Sequence, residues 1–304
     1  MKSGPFIHSG FTTHKLMRIT LLTMMPMVAA SIWINGFDAV ILFAVAIFSV
    51  LGMEIICQGR IVFEYQALIT AILIALLLPA NAPWWISVIG SILGIGIGKY
   101  VYGGFGQNIF NPAVLSRVLM MTLFPIVFIM PKWTVDGVSG ATILSKEIGT
   151  TMPSLSSLFL SSGPGSLSEA MPIAVLLGGV ILLIFKLIDW RVPLFYLATI
   201  SLFSIVLPGS DKILGHAPYL LGNPLLHIFA GGSLLSAFFL LTDPVSSPFS
   251  SNGRVVFAII AAVFTMIIRY YTPYPDGAAF GVLLANALVP TIDNYMLKSK
   301  VFLI

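Results

Sequence analysis

About ten apolar runs, separated by short polar breaks, limit what this chain can fold into more than any other feature. They lie near 16–34, 37–57, 66–79, 84–101, 113–130, 170–188, 192–208, 224–241, 255–270 and 276–290, each bounded by Gly, Pro, Asn or a charge. A helix needs roughly 20 mostly apolar residues to cross the hydrocarbon core of a bilayer. The pattern therefore predicts an all-α polytopic membrane protein of about ten transmembrane helices, several of them short, broken or tilted. Composition agrees, because 9% charged residues is far below the roughly 25% of soluble domains.

Charge and cysteine usage exclude several functions. The net charge of +4 is spread between apolar runs and forms no basic patch, so no nucleic-acid partner is expected. Cys57 is the single cysteine, so there is no internal disulfide, and an iron-sulfur cluster, which generally takes about four thiolates, cannot be held by this chain alone. The four histidines have no metal-ligand spacing. No metal site is predicted.

Lys and Arg placement sets the expected orientation. The first run, though it contains Val28-Ala29-Ala30, is long for a signal core and reads as a retained helix. With an even number of spans both termini share one side. Of the 15 Lys and Arg residues, only Lys132, Lys146, Lys212 and Arg269 then fall opposite the termini. Cytoplasmic loops carry the excess of positive charge, so both termini are predicted cytoplasmic in a bacterial inner membrane, with the loop after the fifth run outside.

The two halves resemble each other. L-I-T-A-I-L-I-A-L-L-L-P-A-N-A-P-W-W aligns with L-L-S-A-F-F-L-L-T-D-P-V-S-S-P-F-S-S, matching Pro79 and Pro83 to Pro244 and Pro248, and Lys99-Tyr100 to Arg269-Tyr270. The expected organisation is a five-helix repeat over 1–130, an extracytoplasmic loop over 131–169 and a second five-helix repeat over 170–304. Because five is odd, the repeats are inverted. Folds of that kind place ligand sites near the midplane, at discontinuous helices.

Four segments carry possible chemistry. Gly103–Pro112, G-G-F-G-Q-N-I-F-N-P, joins permissive glycines to amide side chains and a helix-starting proline; it suits a polar ring or an anion, or an ordinary turn. Thr242-Asp243-Pro244 sets a carboxylate at a helix end, where a charge at membrane depth costs about 2.5–3.5 kcal/mol on insertion scales. Glu54, Glu64, Asp276 and Asp293 lie near helix ends, solvated or part of an ion or proton path. Asp136–Thr142, D-G-V-S-G-A-T, presents a hydroxyl beside small residues, which suits a turn or a modification site equally.

Taken together, K-Y-V-Y-G-G-F-G-Q-N-I-F-N-P-A-V, D-G-V-S-G-A-T, L-T-D-P-V-S-S-P and Y-P-D-G-A-A-F-G-V-L-L-A-N-A-L-V-P-T-I-D resemble, in this order, the NqrB/RnfD family of membrane redox subunits. The resemblance covers the chain from Leu16 to about Asp293. It implies a subunit of an ion-motive oxidoreductase, not catalytic alone, with FMN joined by a phosphoester to Thr142 within the motif formed by Asp136, Ser139, Gly140 and Ala141. A separate flavin transferase makes that bond in the family, and a second flavin, riboflavin, is held non-covalently among the helices. Glu54, Asp243 and Asp293 match acidic positions of the family and are implied as a possible ion path. About 15 residues before the first run, and Gln107, favour the D subunit of the Rnf complex, which links ferredoxin and NAD⁺ to Na⁺ or H⁺ transport. The B subunit of the Na⁺-translocating NADH:quinone reductase is the alternative. A flavin-free channel or secondary transporter is the reading from a different class.

Overall fold

The computed structural model describes residues 12–60, 64–129, 132–134, 137–139, 159, 165–169, 171–207, 223–272, 274 and 276–301. Apart from one short hairpin, the regular elements among these residues are helices. Helix α1 (Thr13–Asn35) begins where the Thr12 hydroxyl accepts the Lys15 N–H at 3.3 Å, and ends at Gly36. Helix α2 (Phe37–Gln58) follows at once, with Gly36 between them at a φ of 61°. Helix α3 (Tyr65–Leu77) stops before Pro79, whose ring cannot continue it. Helix α4 (Trp84–Ser91) loosens into a π-helical stretch over Ile92–Ile97. Helix α5 (Pro112–Leu123) starts at Asn111, whose Oδ1 accepts the Ala113 and Val114 N–H groups, the expected use of an Asn cap before proline. A short α6 (Pro125–Ile129) and the hairpin β1 (Lys132–Thr134) and β2 (Gly137–Ser139) complete the first half.

A 3₁₀ turn, Leu167–Glu169, leads into α7 (Pro172–Ile184) and α8 (Arg191–Val206). The run predicted as one helix near 224–241 is instead two pieces, α9 (Pro224–Phe229) and α10 (Ser233–Leu235), the second continuing as a π-helical stretch over Ser236–Leu240. Gly231 and Gly232, with φ of 64° and 69°, make the break, a backbone region that disfavours side chains. Helices α11 (Ser251–Tyr271) and α12 (Gly277–Val301) close the chain; α12 runs well beyond the expected 276–290.

Among the described residues, five segments are long and apolar enough to cross a membrane: Thr13–Asn35, Phe37–Gln58, Trp84–Tyr102, Ser251–Tyr271 and Gly277–Lys298. Large apolar side chains such as Trp33, Phe48, Ile56 and Ile184 point outward from the bundle. Water would penalise such a surface and lipid accepts it. This is a multi-pass membrane protein.

The helices of each half pack mainly on one another, α2 on α3 and α4, and α8 on α9 and α11. The halves meet where α1 lies on α7 and where α5 lies on α12. At the first contact Gly178 sits so close to the Thr23 carbonyl that a Cβ there would collide with backbone. The second contact is made by polar groups and positions the site.

Candidate functional site

A cavity of about 110 Å³ opens between the halves, at the end of the bundle where α1 begins. Its walls come from Thr20 of α1, Gln66 and Thr70 of α3, Asn111 before α5, Phe238 and Phe239 before the second break, and Asp243 within it. The predicted loop and the predicted Thr-Asp-Pro segment therefore share one cavity. Gln66 Oε1 is buried without a hydrogen-bond partner, and burying an acceptor without a donor costs free energy. Because the Asn111 Oδ1 is committed to the cap of α5, its Nδ2 is the atom left to offer. The wall thus presents an acceptor and a donor among aromatic and aliphatic groups. Such a wall suits the edge of a flat heterocycle carrying both C=O and N–H, with Phe rings to pack on its faces.

Two clusters of buried charge flank this region. Near the cavity end, the Lys99 ammonium is 2.6 Å from Glu54 Oε1, and both residues are buried, at 1% and 3% exposure. The Tyr100 hydroxyl and the Gln58 amide also donate to Glu54 Oε2. Glu64 lies 4.0 Å from the same ammonium. At the other end, Arg117 of α5 donates twice to Asp276 Oδ2, at 3.1 and 2.7 Å, and lies over the Phe128 ring at 4.3 Å. Close by, Arg269 donates to the carbonyls of His227, Ala230 and Gly231 and to the Ser233 hydroxyl, at 2.8 to 3.0 Å. That one guanidinium satisfies the backbone freed by the break between α9 and α10. Glu169 accepts the Ser166 hydroxyl at 2.7 Å and the Gly231 N–H at 3.0 Å.

The predicted ion-path residues lie apart, and the structure gives each its own partners. Glu54 belongs to the Lys99 cluster, Asp243 accepts the Ser246 hydroxyl at 2.8 Å, and Asp293 accepts the Phe249 N–H at 3.1 Å on an exposed turn. Ser139 ends β2, opposite Lys132. Asp136, Gly140, Ala141 and Thr142 lie outside the described residues. No cluster of His, Cys, Asp or Glu that could hold a metal occurs among the described residues.

Sequence reasoning gave no site role to Arg117, Glu169, Gln66 or Asn286, and gave Arg269 a place only in the topology and the internal repeat. One signal was available: Arg117, Arg269 and Asn286 each stand inside an apolar run, where polar side chains are costly and face the bundle interior.

The fold is that of a polytopic helical membrane protein whose two halves, each with a broken or interrupted helix, line a cavity with a partly polar wall. The sequence matches the NQR2, RnfD, RnfE family over residues 1–302, and the chain belongs to that family. It is 33% identical over 314 residues to the D subunit of the Na(+)-translocating ferredoxin:NAD(+) oxidoreductase complex of Acetobacterium woodii, with 99% of this chain and 94% of that one covered. It is 34% identical over 339 residues to the D subunit of the ion-translocating oxidoreductase complex of Halorhodospira halophila, covering 97% and 93%. Its likeness to the Escherichia fergusonii protein of the same name is 32% over 345 residues, covering 96% and 95%.

Proposed function

We propose that this chain is the membrane-embedded D subunit of an Rnf-type ion-translocating electron-transfer complex. It works only with the other membrane and peripheral subunits. Full-length likeness to relatives named as the D subunit of such complexes carries this reading. In it, FMN is joined by a phosphoester to Thr142, placed there by a flavin transferase, and riboflavin occupies the cavity between the halves. The unpartnered Gln66 Oε1 beside the Asn111 amide supports the second assignment.

Flavins supply the one-electron transfers that the side chains cannot make. The protein's part is to hold and tune: Gln66 and Asn111 orient the ring edge, Phe238 and Phe239 cover its faces, and the packed helices exclude water. About ten spans in two inverted repeats, cytoplasmic termini, an outward Thr142 loop and an inner-membrane location complete the reading. Pairing of α2 with α4 and of α8 with α11 in the two halves supports the repeat. So does the burial of Lys99 and Arg269 at matched positions. Glu54, Asp243 and Asp293 are assigned to the passage of Na⁺ or H⁺.

The test is a denaturing gel under ultraviolet light, run on protein from cells that contain the transferase. A fluorescent band from the unmodified chain, absent from Thr142→Val, is expected. A dark band from the unmodified chain sinks the covalent-flavin assignment.

A further inference from the structure

Asn286 lies in α12, is completely buried, and does not line the cavity. Its whole amide serves the backbone of two separate breaks. Oδ1 accepts the N–H of Asn111 at 3.3 Å, and Nδ2 donates to the carbonyl of Ser246 at 2.9 Å. Asn111 stands just before α5, and Ser246 lies in the turn that follows the π-helical stretch. Neither backbone group has a helical partner at its position, so each needs one from elsewhere.

Those same two breaks contribute two of the cavity's walls. Asn111 and Pro112 come from one, and Thr242 through Val245 from the other. A single side chain from a third element therefore ties the two walls together, one from each half of the molecule. Asp243 reinforces the second wall, because its carboxylate holds the hydroxyl of Ser246, the residue whose carbonyl Asn286 grips. We propose that Asn286 is a positioning residue that sets the spacing of these walls and so the affinity and potential of the non-covalent flavin. This rests on the assignment of that flavin to the cavity.

An amide is the group the geometry requires, since one wall offers a donor and the other an acceptor. Leucine, close in size, serves neither. Aspartate keeps the acceptor for Asn111 and turns a negative oxygen toward the Ser246 carbonyl. The full chain, its Asn286→Leu and its Asn286→Asp variants are purified and freed of non-covalent flavin, then titrated with riboflavin by fluorescence quenching. The midpoint potential of the rebound flavin and the in-gel fluorescence of the covalent one are read beside it.

Both variants are expected to bind riboflavin about tenfold more weakly, a step worth about 1.4 kcal/mol, with a shifted midpoint potential and unchanged in-gel fluorescence. A purely structural role would reduce the amount of folded protein and leave the potential of the remainder where it was. Unmodified affinity and potential in either folded variant overturn the inference, and if Asn286→Leu does not fold, Asn286→Asp decides. Riboflavin uptake by the unmodified chain with no effect in the variants removes the role of Asn286 alone. No uptake by the unmodified chain removes the cavity assignment and this inference together.

Discussion

Lys99 and Arg269, one in each half of the chain and each followed by a tyrosine, are both buried. What surrounds them differs. Lys99 is held by a carboxylate, Glu54, at 2.6 Å. Arg269 is held by neutral oxygens, three backbone carbonyls and a hydroxyl, while the charges of Glu169 and Asp276 act on it from nearby. The ammonium is a point charge balanced by carboxylates, Glu54 in contact and Glu64 at 4.0 Å. The guanidinium is a planar fork that organises a glycine break. The first cation is thus set in an ion pair, and the second holds backbone in place.

Substituting the two cations tests that contrast. Arg269→Leu should have the largest effect, because hydrogen bonds to a charged group are worth about 1.5–3 kcal/mol each and four are lost. No folded protein is expected by size-exclusion chromatography in detergent, and Arg269→Lys should recover only part, since one ammonium cannot reach the same set of carbonyls. Wild-type folding of Arg269→Leu would break the comparison. Glu54→Ala comes next, at about 3–5 kcal/mol, the cost of leaving a buried charge unpaired. Adding Lys99→Met to Glu54→Ala should restore most of the melting temperature, since a double substitution removes the orphan as well. If the double variant melts no higher than the single one, Lys99 has another anchor and the contrast between the halves is false. Asp293→Asn should have the smallest effect, under about 1 kcal/mol, because its bond to Phe249 N–H is exposed. Its melting curve measures the background against which the other two are judged.

The helices were legible because apolar runs bounded by Gly and Pro report membrane-length segments directly. The meeting of the Gly103–Pro112 loop with Thr242-Asp243-Pro244 at one cavity was not foreseen, because the internal alignment matched the second segment to Pro79–Pro83, which does not line the cavity. The interruption at Ala230–Gly232 was hidden, since hydropathy stays high across it and only the glycine pair hints at positive φ. The pairing of Arg117 with Asp276 was hidden for another reason. The two residues are 159 positions apart, and no local period joins them. Asn286 looked like one polar residue in an apolar run until its two backbone partners, from opposite halves, were seen together.

The missing side chain at Gly178 has a mechanical consequence. With the α7 backbone pressed against the Thr23 carbonyl and the Phe239 ring, even one methyl group would act as a wedge between α1 and α7. At that point the two helices are as close as their backbones allow. The opposite seam, α5 on α12, is fastened by exchangeable hydrogen bonds and an ion pair. The two seams are therefore of different kinds, one set by steric contact and the other by directional bonds.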